Sequence, residues 1–178
     1  MIMENFKALR EFKKTNWEDI PDYGLYSMQV LTYLEEHLLS YFPDMVTLTS
    51  SMINNYVKNG IIPKPVNKKY YRDHIGILMV VAVLKELLPL ESIKEGIDLQ
   101  LGIMGIERAY NEFMDILEGS LRNLLDALQV GKGMSYEGFE ADWDSVSLTI
   151  AIKAFAFQTL TREILKARGI YHQEEQDD

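Results

Sequence analysis

Ser51, Asn54, Asn55 and Lys58 offer a hydroxyl, two amides and one cation, with no carboxylate among them. Their spacings of one, three and four residues place them on one side of a 3.6-residue period. Asparagine bonds the adenine edge bidentately, and lysine and serine reach bases or phosphates. A surface of this kind is suited to reading duplex DNA. Four more cations follow closely, Lys64, Lys68, Lys69 and Arg72, and serve to hold phosphates.

A helix must position the first group. Met52, Ile53, Tyr56 and Val57 supply its opposite, apolar stripe, so Tyr56 belongs to the core with its hydroxyl at the edge. Thr47 or Thr49 caps the start through its hydroxyl, and Asn59-Gly60 closes the end, because glycine accepts the left-handed conformation there. Residues 61–71, with two prolines and an Asn-Lys-Lys tip, suit a short β-hairpin or wing that presents the second group.

Charge is unevenly spread. The 178 residues carry 18 Lys and Arg against 27 Asp and Glu, a net of −9. Residues 43–74 hold five cations against two carboxylates, a local +3, and the remainder carries −12. Phosphate binding needs a local positive surface, not a positive total. The plainer alternative is a solvated basic loop that balances an acidic body.

Hydrophobic residues make up 47% of the chain, which excludes disorder for most of it. No apolar run reaches the roughly 18–20 residues of a spanning helix, so no membrane partner is expected. The N-terminal residues mix charges with Phe6, Leu9 and Phe12, unlike a signal peptide. Without cysteine there is no disulfide framework, thiol catalysis or thiolate metal site. A cytoplasmic location is the natural default, and the acidic tail, residues 173–178, is expected to fray.

Elsewhere the pattern is helical: residues 3–14, then 25–41 after a linker at 17–24, then a helix from Asp73 ending before Pro89, and a short one at 90–97. Beyond Gly102, Ile106, Tyr110, Phe113, Leu117, Leu121 and Leu124 mark a long amphipathic helix. Residues 131–142 read as a loop. Asp144 caps a last helix to about residue 168, apolar on nearly every side from Val146 to Phe157, which predicts a place at the centre of a bundle.

Other chemistry is sparse. His37, His74 and His172 lack metal-ligand spacing and read as surface or capping histidines. Gly131-Lys132-Gly133 lacks the remainder of a phosphate-loop pattern. Glu137, Glu140, Asp142 and Asp144 lack the EF-hand alternation. Metal ions, cofactors and enzymatic activity are therefore not expected. Tyr110, Phe113, Trp143 and Phe155 are candidates to line a pocket for an apolar ligand between the C-terminal helices, against the plainer reading of ordinary core.

The helix, the Gly60-Ile61-Ile62-Pro63 turn, the basic hairpin and Tyr70-Tyr71-Arg72 entering a further helix resemble the winged helix-turn-helix of MerR-type regulators. Tyr56 stands where that family places an aromatic residue, and Leu90-Glu91-Ser92-Ile93 corresponds to a later turn. Where MerR regulators carry Arg-Tyr-Tyr, this chain has Asn54-Asn55-Tyr56, which removes a phosphate anchor. Ile20-Pro21-Asp22, Leu25-Tyr26, Gln29-Val30, Leu48-Thr49, Met52-Ile53-Asn54-Asn55-Tyr56 and Lys68-Lys69-Tyr70 are similar to bacterial domain-of-unknown-function family 1836. That resemblance covers roughly residues 17–97 and implies a MerR-like fold without an established activity.

The expectation is a mostly α protein: a MerR-like winged helix-turn-helix in residues 1–97, followed by a helical bundle in residues 98–178 for an effector or for dimerisation. It is expected to regulate transcription by binding double-stranded DNA. The competing classes are a protein–protein adaptor that keeps the helix-turn-helix as scaffold, and a small-ligand binder using the C-terminal helices. A homodimer, a protein partner and a small-molecule effector are the other partners considered.

Overall fold

Ile75, Leu78, Met79, Val81, Ala82 and Val83 are fully enclosed, and their helix, Arg72–Leu84, is the axis of the fold. The computed structural model describes residues 6–129, 133–136 and 139–167. Expectations resting on Gly131-Lys132, Glu137, His172 and the acidic tail lie outside the described residues.

In chain order the elements are α1 (Lys7–Glu11), a 3₁₀ turn (Trp17–Asp19), α2 (Ser27–His37), a second 3₁₀ turn (Leu39–Tyr41), α3 (Ser50–Lys58), α4 (Arg72–Leu84), α5 (Leu90–Met104), α6 (Ile106–Ala127), the antiparallel pair β1 (Leu128–Gln129) and β2 (Gly133–Met134), and α7 (Val146–Lys166). The protein is thus mostly α. None of the described helices is long and apolar enough to cross a membrane.

α4 meets α2, α6 and α7, so its apolar residues find neighbours on every side. α7, expected at the bundle centre, takes a flank instead. It lies along α6 and meets α4 and α5, burying Ile152, Phe155, Ala156 and Leu160 but leaving Ile150 and Phe157 exposed and Leu165 70% exposed. Helix neighbours cover one side of it only, and an apolar composition does not reveal which side. α6 follows its amphipathic pattern, with Tyr110, Phe113, Leu117, Leu121 and Leu124 buried.

Several boundaries differ from expectation. Residues 25–41 divide: Leu25 pairs with Tyr70 as an isolated bridge, and α2 stops at His37 because Leu38 leaves the helical region (φ −141°). The segment 17–24 is part of the core, since Trp17 is buried, donates its backbone N–H to Asn111 Oδ1 at 2.9 Å and packs against Tyr110. α5 runs through Gly102 to Met104 and breaks at Gly105, whose φ of +75° starts α6 on a new axis. The 131–142 stretch contributes β2. The 97/98 boundary falls inside α5, and one continuous buried cluster extends from Phe6 to Leu160.

Candidate nucleic-acid interface

Ile53 and Tyr56 hold α3 to the body by burying its inner stripe, a contribution of about 1.5–3 kcal/mol for each large side chain. Thr49 Oγ1 accepts the Met52 N–H at 3.2 Å and so caps the helix. At the other end Gly60 (φ +66°) turns the chain, and the N–H groups of Ile61 and Ile62 both reach the Tyr56 carbonyl, at 2.9 and 3.4 Å. Burial of Tyr56 pushes its phenol above the ordinary value. The opposite face carries Ser51, Asn54, Asn55 and Lys58, all exposed.

The two asparagines are not equivalent. Asn59 Nδ2 donates to Asn55 Oδ1 at 3.0 Å and to the Asn55 carbonyl at 2.8 Å, which takes up one acceptor site of the amide. The Asn54 side chain bonds to none of the described residues, which leaves both the donor and the acceptor of its amide unengaged among them.

The segment expected to form a wing is a two-residue hairpin. Val66 and Lys69 exchange backbone hydrogen bonds of 3.0 and 2.9 Å, with Asn67 and Lys68 at φ +51° and +65° between them. Positive φ at both central residues matches the turn that fits the twist of two strands. Each leg is fastened. Tyr70 and Leu25 exchange two backbone hydrogen bonds of 2.8 Å. His74 Nδ1 accepts the Tyr71 N–H at 3.1 Å, so its Nε2 carries the proton and donates to the Lys64 carbonyl at 3.2 Å.

Lys58, Lys64 and Lys68 are exposed, and with half-buried Lys69 they form no ion pair with the described residues. Lys69 lies 5.5 Å from the centre of the Tyr26 ring. Arg72 stands apart from this set. Its Nε donates to the Ile20 carbonyl at 3.0 Å and its Nη2 to the Glu18 carbonyl at 3.3 Å, so the guanidinium fastens α4 to the Trp17–Asp19 turn.

Sequence reasoning missed the strip joining helix and wing. Tyr26 meets Lys69, Ser50 Oγ approaches Met28 Sδ at 3.7 Å, and Tyr23, Tyr26 and Met28 are all exposed. The segment ahead of α3 is clamped as well. Glu86 accepts from the Val46 N–H at 3.1 Å, Lys85 Nζ at 3.4 Å and Arg162 Nη1 at 3.2 Å, while Lys166 reaches Asp44 at 2.6 Å. Burial pushes the Glu86 carboxyl up, but these hydrogen bonds and the Lys85 charge outweigh it and hold the group below its ordinary value.

Among the proposed pocket residues, Tyr110 and Phe113 line a cavity between α4, α5, α6 and α7. Phe155 lies elsewhere in the core against Phe42, and Trp143 is 93% exposed. Asp142 and Asp144 gather with Glu112, and Arg108 sits 3.0 Å from Asp144 and 3.8 Å from Glu112. Asp144 does not cap α7 with its side chain. His37 stacks on Tyr33.

Residues 15–113 match the family model described as Domain of unknown function (DUF1836), and the chain belongs to that family. The match extends past residue 97 into α6. No curated protein and no solved structure matches the chain.

Proposed function

We propose that this member of the DUF1836 family is a DNA-binding transcriptional regulator that uses a MerR-like winged helix-turn-helix. The observation that carries the reading is α3: a capped helix with a buried apolar stripe and an exposed Ser51, Asn54, Asn55 and Lys58 face free of carboxylates. In this reading α3 enters the major groove, and Asn54 reads an adenine edge. Lys64, Lys68 and Lys69 hold phosphates from the wing. The fastening of both wing legs supports the same reading, because a rigid wing loses little freedom on binding. Arg72, engaged with two carbonyls, is assigned a structural role.

Fluorescence anisotropy tests this with duplex DNA from upstream of the chain's own coding region, with random DNA as reference, at several salt concentrations. The expected result is tighter binding to the upstream duplex and a log–log salt slope of about −0.9 for each phosphate contact. Lys68→Glu/Lys69→Glu flattens that slope by about 1.8. Asn54→Ala narrows the gap between upstream and random DNA, because one bidentate base contact carries about 1–3 kcal/mol of discrimination. Absence of binding to both duplexes at about 50 mM salt refutes the reading.

The adaptor reading has one observation in its favour. Tyr23, Tyr26 and Met28 form an exposed apolar strip beside the wing, and aromatic residues and methionine are enriched at protein interfaces. It leads if DNA binding fails.

A further inference from the structure

α4, α5, α6 and α7 enclose a cavity of about 200 Å³. Gly96, Ala109 and Ala151 line it with side chains that stop at or before Cβ, which leaves room for it. Its walls include Ile77, Val80, Ile97, Leu101, Tyr110 and Phe113, and no charged side chain lines it. The Tyr110 phenol stays neutral there: burial pushes it well above its ordinary value, and its hydroxyl lies 3.3 Å from Met79 Sδ. Leu88, Ser92, Gly96 and Ser147 line the cavity and are exposed, which marks its mouth.

One amide breaks the apolar lining. Gln100 is 6% exposed, and its Nε2 donates to the Asp144 carbonyl at 2.9 Å, with Met104 Sδ at 3.5 Å. A carbonyl needs a donor, so this bond fixes the orientation of the amide. Oε1 is thereby the free end, and it accepts a hydrogen bond from none of the described residues. Gln100 lines the cavity, and its Oε1 stays able to accept a hydrogen bond from a ligand's O–H or N–H group.

We propose that this cavity is a binding site for a small uncharged ligand, apolar except for one hydrogen-bond donor that meets Gln100 Oε1. A cavity of about 150 Å³ takes benzene, so this one suits a substituted ring of about eight to ten non-hydrogen atoms. A charged ligand is excluded by the lining, which offers it no counter-charge. The site stands independently of DNA binding.

The test is an NMR titration of the full chain with 4-ethylphenol and, separately, ethylbenzene, following the backbone amides of Gly76 and Gly96 and the Gln100 side-chain amide. 4-Ethylphenol is expected to saturate all three signals, and ethylbenzene to bind about five- to tenfold more weakly for want of the donor. Gln100→Leu should make the two ligands equivalent. Gly96→Phe, at an exposed position where a Cβ meets nothing within 4 Å, should abolish binding of both, and an unchanged far-ultraviolet circular dichroism spectrum would show that the fold is kept. The proposal is overturned if neither compound perturbs these signals near its solubility limit, or if Gly96→Phe binds as wild type does. Equal affinity of the two compounds for wild type overturns the assigned ligand class.

Discussion

Two glycines inside helices should respond to the same substitution with opposite signs. On helix propensity alone, Gly→Ala stabilises by about 0.8–1.0 kcal/mol. At Gly96 in α5 an added Cβ has nothing within 4 Å, so Gly96→Ala should realise that gain. At Gly76 in α4 the same atom would lie 2.7 Å from Trp17 Cζ3 and 3.4 Å from Tyr110 Cδ2. Carbon atoms rest about 3.5–4.0 Å apart, so the Trp17 contact is short by about 0.8–1.3 Å. The indole cannot easily retreat, since it is a rigid ring, buried, packed on Tyr110 and held by its backbone bond to Asn111. Overpacking a core by a methyl costs about 1–3 kcal/mol. Taking the upper half of that range for an immobile ring and subtracting the propensity gain leaves Gly76→Ala about 1–2 kcal/mol less stable. Urea denaturation followed by far-ultraviolet circular dichroism would measure both variants. A double-mutant cycle with Trp17→Leu should remove the penalty at residue 76. A Gly76→Ala protein more stable than wild type by about 1 kcal/mol would refute the packing of Trp17 on α4.

Three further outcomes follow from named contacts. Arg72→Gln should lower stability by about 1–3 kcal/mol through the lost bonds to Ile20 and Glu18, while the salt slope of DNA binding stays unchanged; a slope flatter by about 0.9 would make Arg72 a phosphate ligand. Thr49→Ala should cost about 1 kcal/mol by uncapping α3, read in the same denaturation assay, with no loss if the hydroxyl does not cap. Glu86→Gln should cost about 2–3 kcal/mol at neutral pH, somewhat less than stripping one partner from a buried ion pair. Its carboxyl is held below the ordinary value of 4.5. The stabilisation it provides is therefore full above that value and is lost as pH falls through the lower folded-state value. The stability gap between wild type and variant should accordingly close in acid, and a gap that widens there would contradict the assignment.

What the sequence made legible was local. Thr49, the Ile53 and Tyr56 stripe and Gly60 lie within twelve residues of one another, and capping, periodicity and the left-handed turn act over that range. The role of Arg72 was not legible, because the carbonyls it meets lie 52 and 54 residues away. Trp17 looked like part of a linker because its partner Asn111 is 94 residues distant. His74 carried one available signal: it stands at the third helical position after Tyr71, where a side chain can return a hydrogen bond to the capping residue. α7 shows the limit most clearly. Its apolar run is real, but Ile150, Phe157 and Leu165 face outward because side coverage depends on where α4, α5 and α6 are placed.

The distribution of charge bears on how the proposed interface would act. Exposed charges more than about 10 Å apart are largely screened from one another at 0.1 M salt. The −12 outside residues 43–74 therefore weakens little of what Lys58, Lys64, Lys68 and Lys69 do once they sit beside phosphates. Its main effect falls on approach, since an acidic body is repelled by the duplex in most orientations and the basic face is not. The number of phosphate contacts sets the equilibrium salt slope, whereas the acidic body sets the share of encounters that begin in the right orientation. Lowering the salt would strengthen the contacts and sharpen this orientation bias together. Because both legs of the hairpin are fastened by Leu25 and His74, its backbone would meet a duplex already arranged, and in the proposed reading discrimination between sequences would rest on α3 and on Asn54 above all.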